Sequence, residues 1–324
     1  LQKEVAFIKK LGVKFVFNVK LGKDIQLDTL RNENDAVYLA IGAWKDIDLK
    51  IPGEQAQGVF AGTEILKEIA LGKKPKTGNK VAVIGAGNVA IDAARSLWRL
   101  GKEVTVVYRR EKCDMPANMT EISESEAEKI QFRFMSAPVE ILTTKQNKVC
   151  GLKTEIMTCG GIDASGRRKP VPTGSFETID CDSVILAIGE RVDSSDLHKM
   201  KFDTTQDGRI IIHPYSYETN IKGIFAGGDA VSGPSTAAEA MGMAKFAAEQ
   251  IDEHLMHEKR FHLLFREFEY KNHVPMHPKP SPKNMSYKLA VDERRGNFQE
   301  VDRGLTGEQA RNEVNRCLRC DVKC

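Results

Sequence analysis

The chain has 324 residues, 41% of them hydrophobic and 29% charged, with a formal net charge of +3. That length allows two domains with separate cores, while the near balance of charge lacks the basic field that a nucleic-acid partner requires. No apolar run approaches the roughly 18 to 20 residues that cross a bilayer, so no membrane span is expected.

In chain order, "LQKEVAFIKKLG" is amphipathic and reads as a helix, "VKFVFNVKLG" as a strand, and "AVYLAIG" as a buried strand ending at Gly42. The chain opens at Leu1 without a charged stretch followed by an apolar one. No signal peptide is therefore read, the expected location is cytoplasmic, and the start without Met points to an amino-terminally truncated chain. A loop with "IPGE" leads to the helix "AGTEILKEIALG", closed by Gly72, and the basic connector "KKPKTGNK" follows. Next come strand "VAVIG", helix "NVAIDAARSLWRLG" and strand "EVTVVYRR", a βαβ unit.

An acidic helix near "EISESEAEKI" precedes short β-rich pieces, "FRFMSAPVEIL", "CGLKTEIMT" and "FETIDCDSVILAIG". Between the last two, "GGIDASGRRKPVPTG" reads as a turn-rich excursion. "GRIII" follows, then a buried strand "GIFAG" and a long helix to about Leu255. The polar, proline-rich "KNHVPMHPKPSPKNMS" reads as a linker or surface arm, and "TGEQARNEVNRCLRC" as a last helix. Two segments echo each other: "DAVYLAIG" (35–42) and "DSVILAIG" (182–189) share D-x-V-x-L-A-I-G and bracket the βαβ unit. A chain that leaves one domain, builds a second and returns would produce this pattern.

Within the βαβ unit, Gly85, Gly87 and Ala90 occupy the positions of G-x-G-x-x-G/A, after a strand and at the start of a helix. Gly85 permits the tight turn, Gly87 lets a pyrophosphate approach the backbone, and Ala90 allows close packing of helix on sheet. The helix start at Asn88, Val89 and Ala90 adds its positive end. The second strand ends in Arg109 and Arg110 rather than in Asp or Glu. A guanidinium grips a 2′-phosphate that a carboxylate would repel, so NADP(H) is expected over NAD(H).

Of seven cysteines, Cys317, Cys320 and Cys324 crowd the last eight residues as C-x₂-C-x₃-C. This spacing suits thiolate ligation of an iron–sulfur cluster, with zinc or ordinary reduced thiols as alternatives, and no fourth ligand is visible. The scattered Cys113, Cys150, Cys159 and Cys181 read as inert thiols. The histidines show no ligand spacing, and no nucleophile elbow, phosphate-transfer loop or carboxylate pair is present, so no catalytic acid, base or nucleophile is expected.

Together "VAVIGAGNVAIDAARS", "VTVVYRR", "MPA" at 115–117, "GIFAGGDAVSGPSTAAEAMGMAKFAA" and "NRCLRCDVKC" resemble the small subunit of NADPH-dependent glutamate synthase and its relatives, over nearly the whole chain to about Leu255. The resemblance implies an α/β fold of two Rossmann-like three-layer domains, an FAD domain interrupted by an NADPH domain, with a carboxy-terminal tail. On that plan residues 1–43 begin the FAD domain, 44–190 form the inserted NADPH domain, 191–260 complete the FAD domain, and 261–324 hold the linker and cysteine tail. Gly42 and Gly189 then end the two crossover strands and join the cofactor-binding set. Gly228 and Asp229 are the implied flavin-binding pair, the carboxylate accepting from the ribityl chain. Thr236 and Ala237, at a helix start with capping-box spacing to Glu239, would face the anionic edge of a reduced flavin. The family's first glycine-rich turn, which holds the ADP half of FAD, is missing from these residues.

The implied activity is hydride transfer from NADPH to FAD, with electrons passed to a [4Fe–4S] cluster or to an electron-acceptor subunit or iron–sulfur protein. Two rival readings are a nucleotide-sensing or assembly module without turnover and a simple soluble NADPH:disulfide or quinone reductase.

Overall fold

The computed structural model describes residues 2–163, 166–257 and 281–316. The described residues fall into two compact units, one built from the chain up to Lys45 and again from Glu190 to 257, the other from Asp46–Gly189 with 281–316.

The chain starts with α1 (Gln2–Lys10), which buries none of its side chains. Residues 13–22 form no strand, contrary to the sequence reading, and Val13, Phe15, Val16, Phe17 and Val19 are exposed. A strand needs a neighbour to take its backbone hydrogen bonds, and among the described residues this stretch makes only the isolated bridge of Leu21 with Ile25. After α2 (Leu27–Glu33), β1 (Val37–Leu39) carries the first "LAIG" echo, and β2 (Lys45–Asp46) marks the passage out of this unit.

The second unit is a three-layer sandwich. Along the chain it contains β3 (Val59–Ala61), α3 (Gly62–Ala70), β4 (Lys80–Ile84), α4 (Asn88–Arg99), β5 (Glu103–Val107), α5 (Met119–Ala127) and β6 (Gln131–Arg133). An antiparallel sheet of β7 (Ser136–Thr143), β8 (Val149–Ile162) and β9 (Arg168–Ile179) follows, then β10 (Ser183–Leu186), which carries the second echo. The five parallel strands lie in the order β3-β10-β4-β5-β6. Residues 81–84 and all of β10 are buried, because both faces of the parallel sheet are covered. Alternate side chains part to the two layers: Val81 and Val83 pack with Ile65, Ala90, Ala94 and Leu97 of the helices, while Ala82 and Ile84 pack with Ile141, Leu152 and Ile179 of the antiparallel sheet.

The stretch read as a turn-rich excursion is mostly strand, since β8 runs to Ile162 and β9 starts at Arg168. Its Pro170 and Pro172 are tolerated because β9 pairs only with β8 and is an edge strand, where a missing N–H breaks no central ladder.

The chain re-enters the first unit after Gly189 through β11 (Glu190–Arg191) and α6 (Ser195–Lys199). "GRIII" makes only isolated bridges, Thr204 with Ile210 and Ile212 with Thr219. β12 (Ile224–Ala226) pairs in parallel with β1, Val37 opposite Ile224, and leads into α7 (Asp229–Ser232) and the 20-residue α8 (Ala237–Met256). Leu27, Leu39, Val192, Leu197, Phe202, Ile210 and Ile224 form this unit's core.

Residues 281–316, with α9 (Val291–Arg294) and α10 (Gly307–Asn315), pack on the second unit through charge. Glu128, fully buried, accepts two 2.8 Å hydrogen bonds from Arg95 of α4 and one of 2.9 Å from Arg294, and Lys288 and Arg294 both reach Glu124. The cysteine motif at Cys317, Cys320 and Cys324 lies outside the described residues. Among the described residues no helix is long and apolar enough to cross a membrane, and no group of three or more His, Cys, Asp or Glu could hold a metal.

Candidate nucleotide and flavin sites

β4 runs into Gly85-Ala86-Gly87 and α4, and the two glycines serve different ends. At Gly85 φ is 130°, and an added Cβ would lie 2.0 Å from the carbonyl oxygen of Ala187. No side chain fits there, because the chain after β10 crosses directly behind the turn. At Gly87 the backbone is ordinary extended chain, φ −81°, and an added Cβ would meet no protein atom within 4 Å. Packing leaves that position open. Gly87 is the N-cap of α4 and no side chain caps the helix, so the positive end at Asn88, Val89 and Ala90 is presented uncapped. Ala90 itself is fully buried against the sheet.

The "MPA" segment forms the wall beside this turn. The amide of Ala117 donates to the Ala86 carbonyl at 3.2 Å, and the amide of Asn118 donates to Asn88 Oδ1 at 3.0 Å. The hydroxyl of Tyr108 donates to the Asp114 carbonyl at 2.8 Å, fixing the loop after β5. None of these three contacts follows from spacing in the sequence.

The two arginines after β5 part company. Arg109 is exposed and makes no ion pair among the described residues. Arg110 is 6% exposed and its guanidinium is paired with Asp163 at the tip of the β8–β9 hairpin, its Nε having no partner. Only Arg109 is presented to solvent for a phosphate.

A cavity of about 760 Å³ lies elsewhere in this unit, at the amino ends of β4 and β5 around Lys80, Lys102 and Glu103. Ligands of parallel sheets bind at the carboxyl ends of the strands, where Gly85 and Arg109 lie, and this cavity is at the opposite ends.

In the first unit, Gly42 has φ 68°, and in the second Gly189 has φ 134° and accepts from the Ile47 amide at 3.1 Å. A Cβ on Gly227 would sit 2.1 Å from the Tyr38 hydroxyl. Gly228, φ 64°, is the N-cap of α7, and Asp229 Oδ1 accepts from the amide and the hydroxyl of Ser235, each at 3.2 Å. Thr236 forms the full capping box of α8: its hydroxyl oxygen accepts from the Glu239 amide at 3.2 Å, and Glu239 Oε2 accepts from the Thr236 amide at 3.0 Å. These bonds hold the Glu239 carboxyl below its ordinary value. Thr236 through Glu239, Ala237 included, are exposed.

The model of the pyridine nucleotide-disulphide oxidoreductases matches residues 2–244. The chain belongs to that family. It is 34% identical, over 98% of its length and 46% of the relative's, to the NADP(+)-dependent formate dehydrogenase subunit beta of Moorella thermoacetica. It is 33% identical to the NADPH-Fe(3+) oxidoreductase subunit beta of Geobacter sulfurreducens, over 99% of its own length and 53% of the relative's. The glutamate synthase [NADPH] small chain of Escherichia coli is 32% identical over 74% of this chain and 55% of its own. The chain thus spans about half the length of the curated relatives it matches. Among solved structures, Mycobacterium tuberculosis FprA in complex with NADPH superimposes with a TM-score of 0.60 at 20% identity, over 78% of this chain and 71% of that one. Thioredoxin reductase of T. acidophilum gives 0.54 at 22% identity, over 68% and 66%. These likenesses fix the fold of a pyridine-nucleotide reductase, and the expected Rossmann-like α/β class holds.

Proposed function

We propose that this oxidoreductase oxidises NADPH in its second unit and carries a flavin in its first, as the electron-input module of a larger enzyme. The uncapped start of α4, with Gly87 facing open space and Arg109 exposed beyond β5, carries the reading. Gly87 admits the diphosphate, the amides of Asn88, Val89 and Ala90 donate to it, and the Arg109 guanidinium holds the 2′-phosphate. Arg110 acts indirectly, tying the β8–β9 hairpin to the end of β5 through Asp163. The wall at Ala117 and Asn118 keeps the turn in place as the nucleotide enters.

For the flavin, Gly228, Asp229 and the amino end of α8 at Thr236 and Ala237 supply a carboxylate and a positive helix end. FAD, when bound, accepts a hydride and releases electrons singly. The chain itself needs no general base for that step, since a hydride leaves without a proton and the fold supplies orientation and charge. Gly42 and Gly189 shape the ends of the two strands nearest the chain crossings. Residues 1–43 and 191–260 thus form the flavin domain, 44–190 the NADPH domain, and 261–324 the linker and tail.

The relatives named as beta subunits or small chains support a partner subunit as electron acceptor. Cys317, Cys320 and Cys324 would supply three thiolates to a [4Fe–4S] cluster, and the location is cytoplasmic. The test is the visible spectrum of the whole protein. Flavin bands that bleach on anaerobic addition of NADPH support the reading, and a colourless protein that still binds nucleotide contradicts it in favour of a sensor.

A further inference from the structure

Four residues past Arg109, on the turn Lys112–Asp114, lies Cys113, and across from it on β8 lies Cys159. Both thiols are exposed. They share one carboxylate: Cys159 Sγ donates to Glu111 Oε1 at 3.4 Å, and Cys113 Sγ lies 3.8 Å from Glu111 Oε2. The Arg168 guanidinium of β9 closes the group, touching Cys113 Sγ while pairing with Glu111 at 2.7 Å and Asp114 at 2.9 Å. Two thiols held by one carboxylate, with a guanidinium beside one sulfur, are placed for thiol–disulfide exchange. The nucleotide chemistry makes no use of them.

We infer that Cys113 and Cys159 form a reversible dithiol–disulfide pair that couples thiol redox state to NADPH binding. The coupling rests on the nucleotide reading above, whereas the bond itself does not. The oxidant is a low-molecular-weight disulfide, RSSR. The Cys113 thiolate, held against Arg168, attacks one sulfur of RSSR, the old S–S bond breaks, and one thiolate leaves. The departed thiolate then takes the proton of Cys159, and the Cys159 sulfur displaces the second thiolate from Cys113. Two cysteines lose two electrons and two protons in all, and RSSR becomes two RSH. Partial desolvation of the sulfur and its hydrogen bond to Glu111 hold the Cys159 thiol above its ordinary range, consistent with the slower, resolving role.

Joining the sulfurs expels the Glu111 carboxylate from between them and pins the turn after β5 to the β8–β9 hairpin. Glu111 is two residues from Arg109. A carboxylate released there opposes the 2′-phosphate, so the oxidised form binds NADPH more weakly, and NADH, which lacks that phosphate, is affected less.

The test treats the full chain with oxidised glutathione, alkylates the remaining thiols and maps the peptides by mass spectrometry. NADPH is titrated in parallel into reduced and oxidised protein. The expected result is a Cys113–Cys159 linked peptide and about fivefold weaker NADPH binding. Dithiothreitol reverses both, and Cys113→Ser, at an exposed position, removes both. Glutathione adducts without the linked peptide, or Cys159 linked to another cysteine, overturn the pair. A linked peptide with unchanged NADPH affinity overturns the coupling. Reduced protein that binds no NADPH overturns the nucleotide reading and the coupling with it, and the peptide map alone then decides the bond.

Discussion

Two helix starts in this chain are finished in opposite ways. At β4–α4, glycine occupies the N-cap and no side chain satisfies the helix amides. At the start of α8, Thr236 and Glu239 satisfy each other and the backbone in a complete capping box. Free amides at a helix start favour some anion, whereas capped ones are already paid for. The first is therefore open to the ligand proposed for it. The second is stable by itself, and the contribution proposed for it toward a flavin is confined to the field of the helix.

The contrast can be broken by substitution, and the largest effect is expected at Gly85. Gly85→Ala combines φ 130° with an approach of 2.0 Å to the Ala187 carbonyl oxygen. Urea unfolding should show a loss of about 3 kcal/mol. Gly87→Asp separates stability from binding, because the added carboxylate caps α4 without a clash. Stability should stay within about 0.5 kcal/mol, while NADPH binding falls by on the order of 100-fold as the carboxylate faces the diphosphate. Equal NADPH titrations for Gly87→Asp and wild type would remove the ligand role from that junction.

Arg109→Ala should weaken NADPH by roughly 10- to 100-fold, the worth of a charge-assisted phosphate contact, and leave NADH unchanged. Arg110→Ala should act instead on stability, by removing the ion pair that ties the end of β5 to the hairpin tip. Thr236→Ala should lower stability by about 1 kcal/mol through loss of the cap, visible in thermal melts without effect on NADPH titration.

The smallest effect is one of pH. Hydrogen bonds from the Asn284 amide and side chain, with Arg316 adding less, hold the Glu313 carboxyl down at about 2 against an ordinary 4.5. A depressed carboxyl stabilises above its unfolded value and loses that contribution as pH falls through the folded one. Hydrogen-exchange protection of α10 should therefore be full above about pH 4.5 and decline toward pH 2. Glu313→Gln should show the reduced protection already at neutral pH.

The βαβ unit is legible in the sequence because its signals agree: an apolar strand, a glycine pair, an amphipathic helix and a second apolar strand. The stretch at 13–22 is not, because alternating apolar residues record strand propensity and say nothing about whether a neighbour exists to pair with. Glycines and prolines at 160–172 suggest a loop, yet the edge position of β9 accommodates them. The separation of Arg109 from Arg110 depends on Asp163, 53 residues away from the latter. Contacts of that range, like those of Ala117 on Ala86 and Arg294 on Glu128, have no local signature. The capping box at Thr236 is the reverse case, since its spacing alone announces it.

The central claim is that the turn at Gly85–Gly87 and the guanidinium of Arg109 together hold a 2′-phosphorylated dinucleotide. Calorimetric titration of the reduced protein with NADPH and with NADH tests it most directly. The account predicts that NADPH binds at least about tenfold more tightly, and that Arg109→Ala erases the difference. Equal affinities for the two nucleotides in the wild-type protein, or a preference that survives Arg109→Ala, would contradict it.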